Sequence, residues 1–294
     1  MYSNITNITL LSSLLDNQID TREKFDKDFF NDPSLWKEEI DITLPKDITT
    51  SINSPLKKRM SDISKGIFYV LDKTTEGNIK EEDEIYLFSG FSEINTTNDI
   101  IKSITVDKNR LVSPTQFHNS VHNTPLGYFT IIKGLNNYST VISDGVLTNL
   151  SFINFIKNIV KLNKEFIIAT GEEFSDFFLL DKTVNKKIIP VFASFRIIPN
   201  SSRGFRYIGV TDSLDEKIDI LEKSNYIFSD KKSFFELRNR DNLKDKLYTE
   251  FPIVLDNPCG IIFRLIFPIY LSLTGVTTII EQHENVFHLF EVLL

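Results

Sequence analysis

The segment from Ser139 to Leu150 joins a β-branched run, an Asp144-Gly145 pair and an apolar-periodic run. This order predicts a strand, a sharp turn and a helix, which together present one side chain at a helix N-terminus. Free backbone N–H groups at such a position stabilise an anion or a nucleophile. The side chain presented here is that of Asp144. A carboxylate is a weak nucleophile toward a thioester, and the mixed anhydride it would form is less stable than the thioester, so acyl transfer through Asp144 is not expected.

A second polar cluster, the FHNSVHN block, covers residues 117–123 and precedes this turn. His118 and His122 are spaced i, i+4, so on a helix they would share one face and could bind a metal ion. No third ligand is apparent in the sequence, since Cys259 is far away along the chain, and no metal is predicted. The other interpretations are histidines with structural hydrogen bonds, a substrate tunnel, or contact with a partner.

Three consecutive cations, Lys57, Lys58 and Arg59, stand near the front of a helix predicted over Ser54 to Gly77 from its apolar spacing and from Pro55 at its start. Cations at a helix start oppose the helix dipole. These residues are therefore either the solvated start of this helix or a basic patch for an acidic carrier protein or a partner subunit.

Composition narrows the class of protein. Lys and Arg together number 33 and Asp and Glu 40, so the net charge is −7, which argues against a nucleic-acid-binding surface over the whole protein. A single cysteine, Cys259, excludes an internal disulfide and fits a reducing cytosol. The first residues lack the cationic start and long apolar core of a signal peptide, so a cytoplasmic protein is expected.

One apolar stretch, Ile261 to Ile280, approaches the roughly 20 residues that a membrane-spanning helix needs. It contains Arg264, Pro268 and several threonines. A buried helix that runs into a strand explains these residues better than a membrane span, so no membrane association is predicted, and it stays an alternative.

Strand-like and helix-like segments alternate along the chain, which is the rhythm of an α/β fold. The charged residues 210–250 mark the division between a first and a second half, and the acidic stretch up to residue 50, with Trp36, is predicted to be an irregular surface excursion. Predicted strands are Ile5 to Leu11, Glu84 to Gly90, Ser139 to Ser143, Phe166 to Thr170, Ile188 to Ile198, Val276 to Ile280 and Val286 to Leu294, and predicted helices include Thr96 to Thr105 and the run after Asp144.

The stretch SPTQFHNSVHNTPLGYFTI, with the small-residue turn that follows it, resembles the β-ketoacyl synthase-like N-terminal domain family. The likeness is to chain-length-factor-like ketosynthases of aryl polyene and flexirubin clusters. It implies an α/β, thiolase-like layered fold (α-β-α-β-α) made of two related halves, residues 1–210 and a shortened, degenerate half, residues 211–294. It also implies that Phe117, His118, Asn119, His122, Asn123 and Gly127 form a structural, tunnel or interface block, with Gly127 expected in the core.

The chain departs from the family's catalytic pattern. Under the resemblance, Asp144 stands where an active ketosynthase has its cysteine, and Cys259 stands where a histidine has been lost. The His-Gly-Thr signature is missing, and the closing loop, expected near Gln282 to Phe287, is not glycine-rich. No catalytic residue and no cofactor is therefore expected.

These departures imply a pseudo-enzyme, a non-catalytic subunit that pairs with an active β-ketoacyl-carrier-protein synthase in polyene, fatty-acid-like or polyketide synthesis and is served by an acyl carrier protein. Two other classes stay open. One is an enzyme with thioester decarboxylase or hydrolase activity, and the other is a structural or membrane-associated protein.

Overall fold

The computed structural model describes residues 2–12, 48, 52–108, 111–159, 162, 164–173, 191–248, 257–271 and 273–294. These residues form ten strands, eight α-helices and three 3₁₀ turns. The strands are β1 Tyr2–Ser12, β2 Glu84–Phe88, β3 Ser139–Ile142, β4 Phe166–Glu172, β5 Val191–Ser201, β6 Gly204–Thr211, β7 Tyr226–Ser229, β8 Leu247–Tyr248, β9 Val276–His283 and β10 Val286–Leu293.

Helices connect most of the strands, as expected for an α/β fold. The α-helices are α1 Asp62–Thr75, α2 Ile94–Thr105, α3 Pro114–Asn119, α4 Thr124–Lys133, α5 Thr148–Ile159, α6 Ile218–Lys223, α7 Lys231–Leu237 and α8 Gly260–Tyr270. The 3₁₀ turns are Pro55–Arg59, Gly145–Leu147 and Leu214–Lys217.

The predicted strands are confirmed over the residues that the structure describes, while β6, β7 and β8 were not predicted. The surface excursion with Trp36 and the start of the Ile188 strand lie outside the described residues. The single helix predicted from Ser54 is wrong at its start, because Met60 adopts an extended backbone between the first 3₁₀ turn and α1. Ser61 then caps α1 through its side chain, which accepts a hydrogen bond from the Ser64 N–H.

The strand order contains an internal repeat that the residue identities do not reveal. The order is β3-β2-β4-β5-β1-β6-β10-β9-β7-β8. Counted from its own first strand, each set of five has the order 3-2-4-5-1, with the same parallel and antiparallel pairs. The second half therefore keeps all five strands, although its connections are shorter.

The two sets meet where Ser3 of β1 pairs with Phe205 of β6. Gly204 allows this approach, since its φ is +116° and a Cβ there would lie 2.6 Å from the Cα of Asn4. The strand repeat begins at Gly204, inside the segment that the sequence assigned to the first half. The domain division at residues 210 and 211 stays a prediction.

The helices and the two strand sets pack against each other through three apolar cores and form five layers. The central core joins α5 and α8 to the facing sides of both strand sets, for example Phe152 and Phe263 with Phe166 and Phe290. A second core packs α1 and α4 on the outside of the first set, and a third packs α6 and α7 on the outside of the second. This α-β-α-β-α arrangement confirms the predicted fold class.

The apolar stretch 261–280 is a buried helix followed by a strand, as the sequence favours. Helix α8 is eleven residues long, and its residues up to Pro268 are buried in the central core. Within the described ranges, no helix has the length and apolarity that crossing a bilayer requires.

Two helical glycines differ in the space around them: one packs against a buried ring and the other faces open space. Gly66 in α1 faces the buried Phe192 ring, and a Cβ at Gly66 would lie 2.6 Å from a ring carbon. Gly127 in α4 has nothing within 4 Å of such a Cβ. The expectation that Gly127 packs in the core, so that Gly127→Val would disrupt it, is therefore wrong.

We expect Gly66→Ala to lower the free energy of unfolding by about 1–3 kcal/mol, because overpacking a filled core outweighs the higher helix propensity of alanine. Gly127→Ala is the matched control and should raise it by up to about 1 kcal/mol. Urea unfolding of the two variants and the unmodified chain measures both effects. Equal stability changes in the two variants would contradict this packing.

Candidate functional site

Three turns meet at one end of the two strand sets. They follow β2 at Gly90, follow β3 at Asp144, and precede α8 at Pro258. The Gly90 carbonyl accepts hydrogen bonds from Gly145 N (3.1 Å) and Ser143 Oγ (3.0 Å). A Cβ at Gly90 would lie 2.6 Å from Cβ of Pro258. The turn that holds Asp144 and the turn that precedes α8 therefore both pack against the turn at Gly90.

Asp144 stands in the predicted strand-turn-helix arrangement, with one 3₁₀ turn between it and α5. Its side chain is exposed, and Oδ2 accepts a hydrogen bond from Ser151 Oγ at 2.9 Å. Its backbone N–H donates to Thr148 Oγ1 at 3.1 Å, and the side chain makes no capping hydrogen bond. The residue is a solvent-facing carboxylate held by a serine.

Glu172, at the end of β4, fixes the turn after β2 from inside the protein. Its carboxyl group is buried and accepts hydrogen bonds from Ser89 Oγ (3.2 Å), from Gly90 N and from Phe91 N (3.3 Å). Burial raises the pKa of Glu172 to about 7, although these donors oppose the shift. Sequence reasoning missed this residue. The one signal in the sequence was a carboxylate at the end of a mostly apolar strand.

Cys259 lies beside Glu172 and is sealed from solvent. Its Sγ is 3.5 Å from the Phe88 carbonyl oxygen and 3.7 Å from Glu172 Oε1. Burial, followed by the nearby carboxylate, raises the pKa of the Cys259 thiol well above its usual value. A buried thiol that stays protonated is a poor nucleophile.

Two further glutamates extend the buried polar cluster toward α1 and α2. The carboxyl of Glu93 accepts hydrogen bonds from Ser61, Ser64 and Thr96, and burial raises its pKa. Glu173 Oε1 accepts from Asn95 Nδ2 at 3.0 Å, and burial, with the nearby Glu93, raises the pKa of Glu173 to about 8. Sequence reasoning missed both residues.

The histidines of the FHNSVHN block do not share a helical face, contrary to the i, i+4 expectation. Helix α3 ends at Asn119, so His122 lies in the turn before α4. His118 Nδ1 is 3.2 Å from Asn119 Oδ1, and the His122 carbonyl accepts from Ser92 Oγ at 3.3 Å. Neither histidine approaches Cys259, and the described residues contain no group of three metal-ligating side chains.

Asn119 and Tyr128 connect the block to the basic run. Asn119 Nδ2 and Tyr128 OH both donate to the Arg59 carbonyl, at 2.5 and 3.2 Å, and Tyr128 OH is 3.0 Å from Asn119 Oδ1. Lys57, Lys58 and Arg59 form the last turn of their own 3₁₀ segment instead of the start of α1. The predicted conflict with a helix dipole is therefore removed, and the two predicted residue groups are brought together.

The remaining predicted residues of the block lie outside the core. Phe117 is 67% exposed, and Asn123 begins α4 without a side-chain cap. Gly127 lies on α4 in open space. These positions leave their role as interface residues a prediction.

A buried ion pair and the hydrogen bonds of Asn149 connect the two central helices near the same turns. Arg264 of α8 pairs with Glu281 of β9, which also accepts from Asn149 Nδ2 of α5 at 2.9 Å. Asn149 Oδ1 in turn accepts from Ile261 N at 3.1 Å. This polar network holds the N-terminal end of α5 against α8.

Comparison with known proteins agrees with this geometry. Residues 35–149 match the family model for the beta-ketoacyl synthase, N-terminal domain, which confirms the resemblance drawn from the FHNSVHN block. No curated protein matches the chain.

Solved structures match over nearly the whole chain at low identity. The structure of a ketosynthase (ApeO) in complex with its chain length factor (ApeC) from Xenorhabdus doucetiae is 11% identical, with a TM-score of 0.60 and 99% coverage of each chain. The ishigamide ketosynthase/chain length factor is 12% identical, with a TM-score of 0.66 and 100% coverage of each. A type II PKS acyl-carrier protein in complex with its ketosynthase is 13% identical, with a TM-score of 0.61 and coverage of 85% and 89%.

Residues 35–149 therefore resemble the N-terminal domain of β-ketoacyl synthases, and the chain has the thiolase-like fold of ketosynthases. Within that fold the turn after β3 presents Asp144, and Cys259 is a buried thiol.

The raised pKa of Glu172 predicts how stability depends on pH. The folded chain holds a proton that the unfolded chain releases between about pH 4.5 and 7, so stability falls as the pH rises through this window. We expect the free energy of unfolding to drop by up to about 3 kcal/mol from this group. Urea unfolding at a series of pH values measures the slope of the free energy of unfolding against pH. Glu172→Gln should make this slope smaller, while Glu82→Gln, at an exposed glutamate, should leave it unchanged. Identical slopes in all three proteins would contradict the assignment.

Proposed function

We propose that the chain is a non-catalytic, chain-length-factor-type subunit that pairs with an active β-ketoacyl-carrier-protein synthase. The complex would act in polyene, fatty-acid-like or polyketide synthesis, with acyl groups delivered by an acyl carrier protein. An aryl polyene or flexirubin pathway and a cytoplasmic location belong to this proposal.

The chemistry of the turns supports a subunit without its own condensing activity. Thioester condensation in this fold requires a thiolate nucleophile at the helix N-terminus. Asp144 offers a carboxylate there, and Cys259 is buried with a raised thiol pKa. The same argument disfavours hydrolysis through an acyl-enzyme at either residue.

An exposed apolar surface carries the proposal. We use the name apolar face for ten exposed apolar side chains that lie on or beside α2, α3, α4, β3 and the turn after β3. Apolar side chains exposed in such number favour association with another protein. The members of the apolar face, each at least 42% exposed, are Ile101, Ile104, Val106, Leu111, Phe117, Val121, Ile131, Tyr138, Val146 and Leu147.

The edge of the sheet adds to this face. Strand β3 pairs with β2 on one side and ends the strand order among the described residues. An edge strand presents unpaired N–H and C=O groups, which favour association with another chain. Tyr138 and Val146 flank β3 on either side, so apolar contact and strand pairing are available at the same place.

We expect Val146→Asp to weaken pairing with the ketosynthase at least tenfold, because a carboxylate would be desolvated in the apolar face. Val210→Asp is the matched control, since Val210 is also exposed but lies on β6, and it should pair like the unmodified chain. Sedimentation of each variant mixed with the separately purified ketosynthase measures the affinity of the complex. Equal loss, or no loss, in the two variants would contradict this assignment of the face.

The absence of catalysis by Asp144 is tested separately. The isolated chain should give no condensation product with acyl and malonyl carrier-protein thioesters, and Asp144→Ala should leave both pairing and condensation by the complex unchanged. Product formed by the isolated chain would favour an enzyme over a partner subunit. A large loss on Asp144→Ala with pairing intact would assign Asp144 a role in the reaction.

A further inference from the structure

A pocket of about 380 Å³ lies between the basic 3₁₀ turn, α3 and α4. Its walls combine aliphatic groups, a tyrosine ring and two nitrogen-bearing side chains. The lining residues are Leu56, Arg59, Pro114, Thr115, His118, Tyr128 and Ile131. None of these is acidic, so the pocket is apolar with a positive side.

Arg59 is available to a ligand in this pocket. Its side chain is exposed, and it forms no ion pair with any residue in the described part of the chain. The neighbouring Lys58 is also exposed and increases the positive potential. This concentration of cations occurs in a protein of net charge −7, so it is a local feature of the surface.

Hydrogen bonds from α3 and α4 fix the backbone at Arg59. Both Asn119 Nδ2 and the Tyr128 hydroxyl donate to the Arg59 carbonyl, and Asn119 is buried. His118 is held in turn, with Nδ1 3.2 Å from Asn119 Oδ1 and its ring 5.7 Å from the Tyr128 ring. A site built on a fixed turn loses less entropy when it binds, which favours specific recognition.

The pocket shares one residue with the apolar face. Ile131 lines the pocket and is 65% exposed, so it belongs to both. Phe117, another member of the face, lies between Thr115 and His118 in α3. A subunit that covers the apolar face therefore also covers the pocket, whereas a carrier protein bound in the pocket would compete with that subunit.

We propose that the pocket receives an aspartate or glutamate side chain of the partner ketosynthase. The inference rests on the proposed pairing and names its polar anchor. The methylene groups of the acid lie against Leu56 and Ile131, and its carboxylate reaches the guanidinium of Arg59 beside His118. Arginine suits this role because its planar fork binds a carboxylate through two hydrogen bonds, and such a pair is strong when it is desolvated at an interface.

Binding measurements with the separately purified ketosynthase test the anchor. Arg59→Glu should weaken the complex at least tenfold, because it places two carboxylates together. Arg59→Lys keeps the charge but loses the second hydrogen bond, so it should weaken the complex less, by about three- to fivefold. Arg203→Glu, a reversal at another exposed arginine in the turn between β5 and β6, is the matched control and should change nothing. The thermal unfolding midpoint of each variant checks that it folds. Binding by Arg59→Glu within twofold of the unmodified chain would overturn the inference.

Zero-length carbodiimide coupling identifies the occupant, since it joins an amine to a carboxylate in direct contact. In the complex made with Arg59→Lys, we expect a cross-linked peptide between position 59 and an aspartate or glutamate of the ketosynthase, and none from Arg203→Lys. A cross-link from position 59 to an acyl carrier protein, or to a second copy of this chain, would overturn the inference.

The two proposals fail in different ways. If the unmodified chain does not bind the ketosynthase, the pairing itself is wrong and the anchor falls with it. If Val146→Asp abolishes binding while Arg59→Glu does not, the pairing stands and only the anchor is wrong.

Discussion

The burial of the Glu172 carboxyl group is the constraint on which the rest of the site depends. Three donors at the end of β2 converge on it, and the Gly90 carbonyl in that turn receives the hydrogen bonds of Gly145 and Ser143. A polar group buried at this depth is tolerated only while these hydrogen bonds are satisfied. The position of Asp144 is thus fixed from the interior of the fold.

The same end of the molecule joins the two halves. Pro258 packs on Gly90, and Cys259 stands beside Glu172, so the second half closes over the turn of the first. The ion pair of Arg264 with Glu281, tied to Asn149, holds the two central helices together. These contacts bring the turn after β3, the turn after β2 and the start of α8 together at one end of the fold.

The proposed subunit would explain both the exposed carboxylate of Asp144 and the apolar face. A subunit that does not perform the reaction would still have to keep its partner in place, and the constraints on an association surface differ from those on a reactive centre. The hydrogen bonds from Asn119 and Tyr128 to the Arg59 carbonyl fit this view, because they fix the position of an exposed turn. Under this proposal the FHNSVHN block would act by supporting the Arg59 turn.

Local features of the chain were predictable from the sequence because they depend on neighbouring residues. The β-branched run before Asp144, the apolar stretch 261–280 and the alternation of strands and helices follow from periodicity and turn chemistry. The FHNSVHN block also indicated the family, which the match over residues 35–149 confirmed. The sequence could not separate the 3₁₀ turn at Pro55 from α1, since both begin after a serine that can act as a cap.

Only the tertiary structure decided which distant residues meet. Strand order is set by long-range pairing, so the repeated 3-2-4-5-1 arrangement and its start at Gly204 were hidden. The pairing of Glu172 with the Gly90 turn spans 82 positions, and that of Asn119 with Arg59 spans 60. No local pattern encodes such contacts, because they exist only after the layers have packed and removed these groups from water. The sequence by itself determined most of the elements and the carboxylate in the turn after β3, and packing determined which residues form the site.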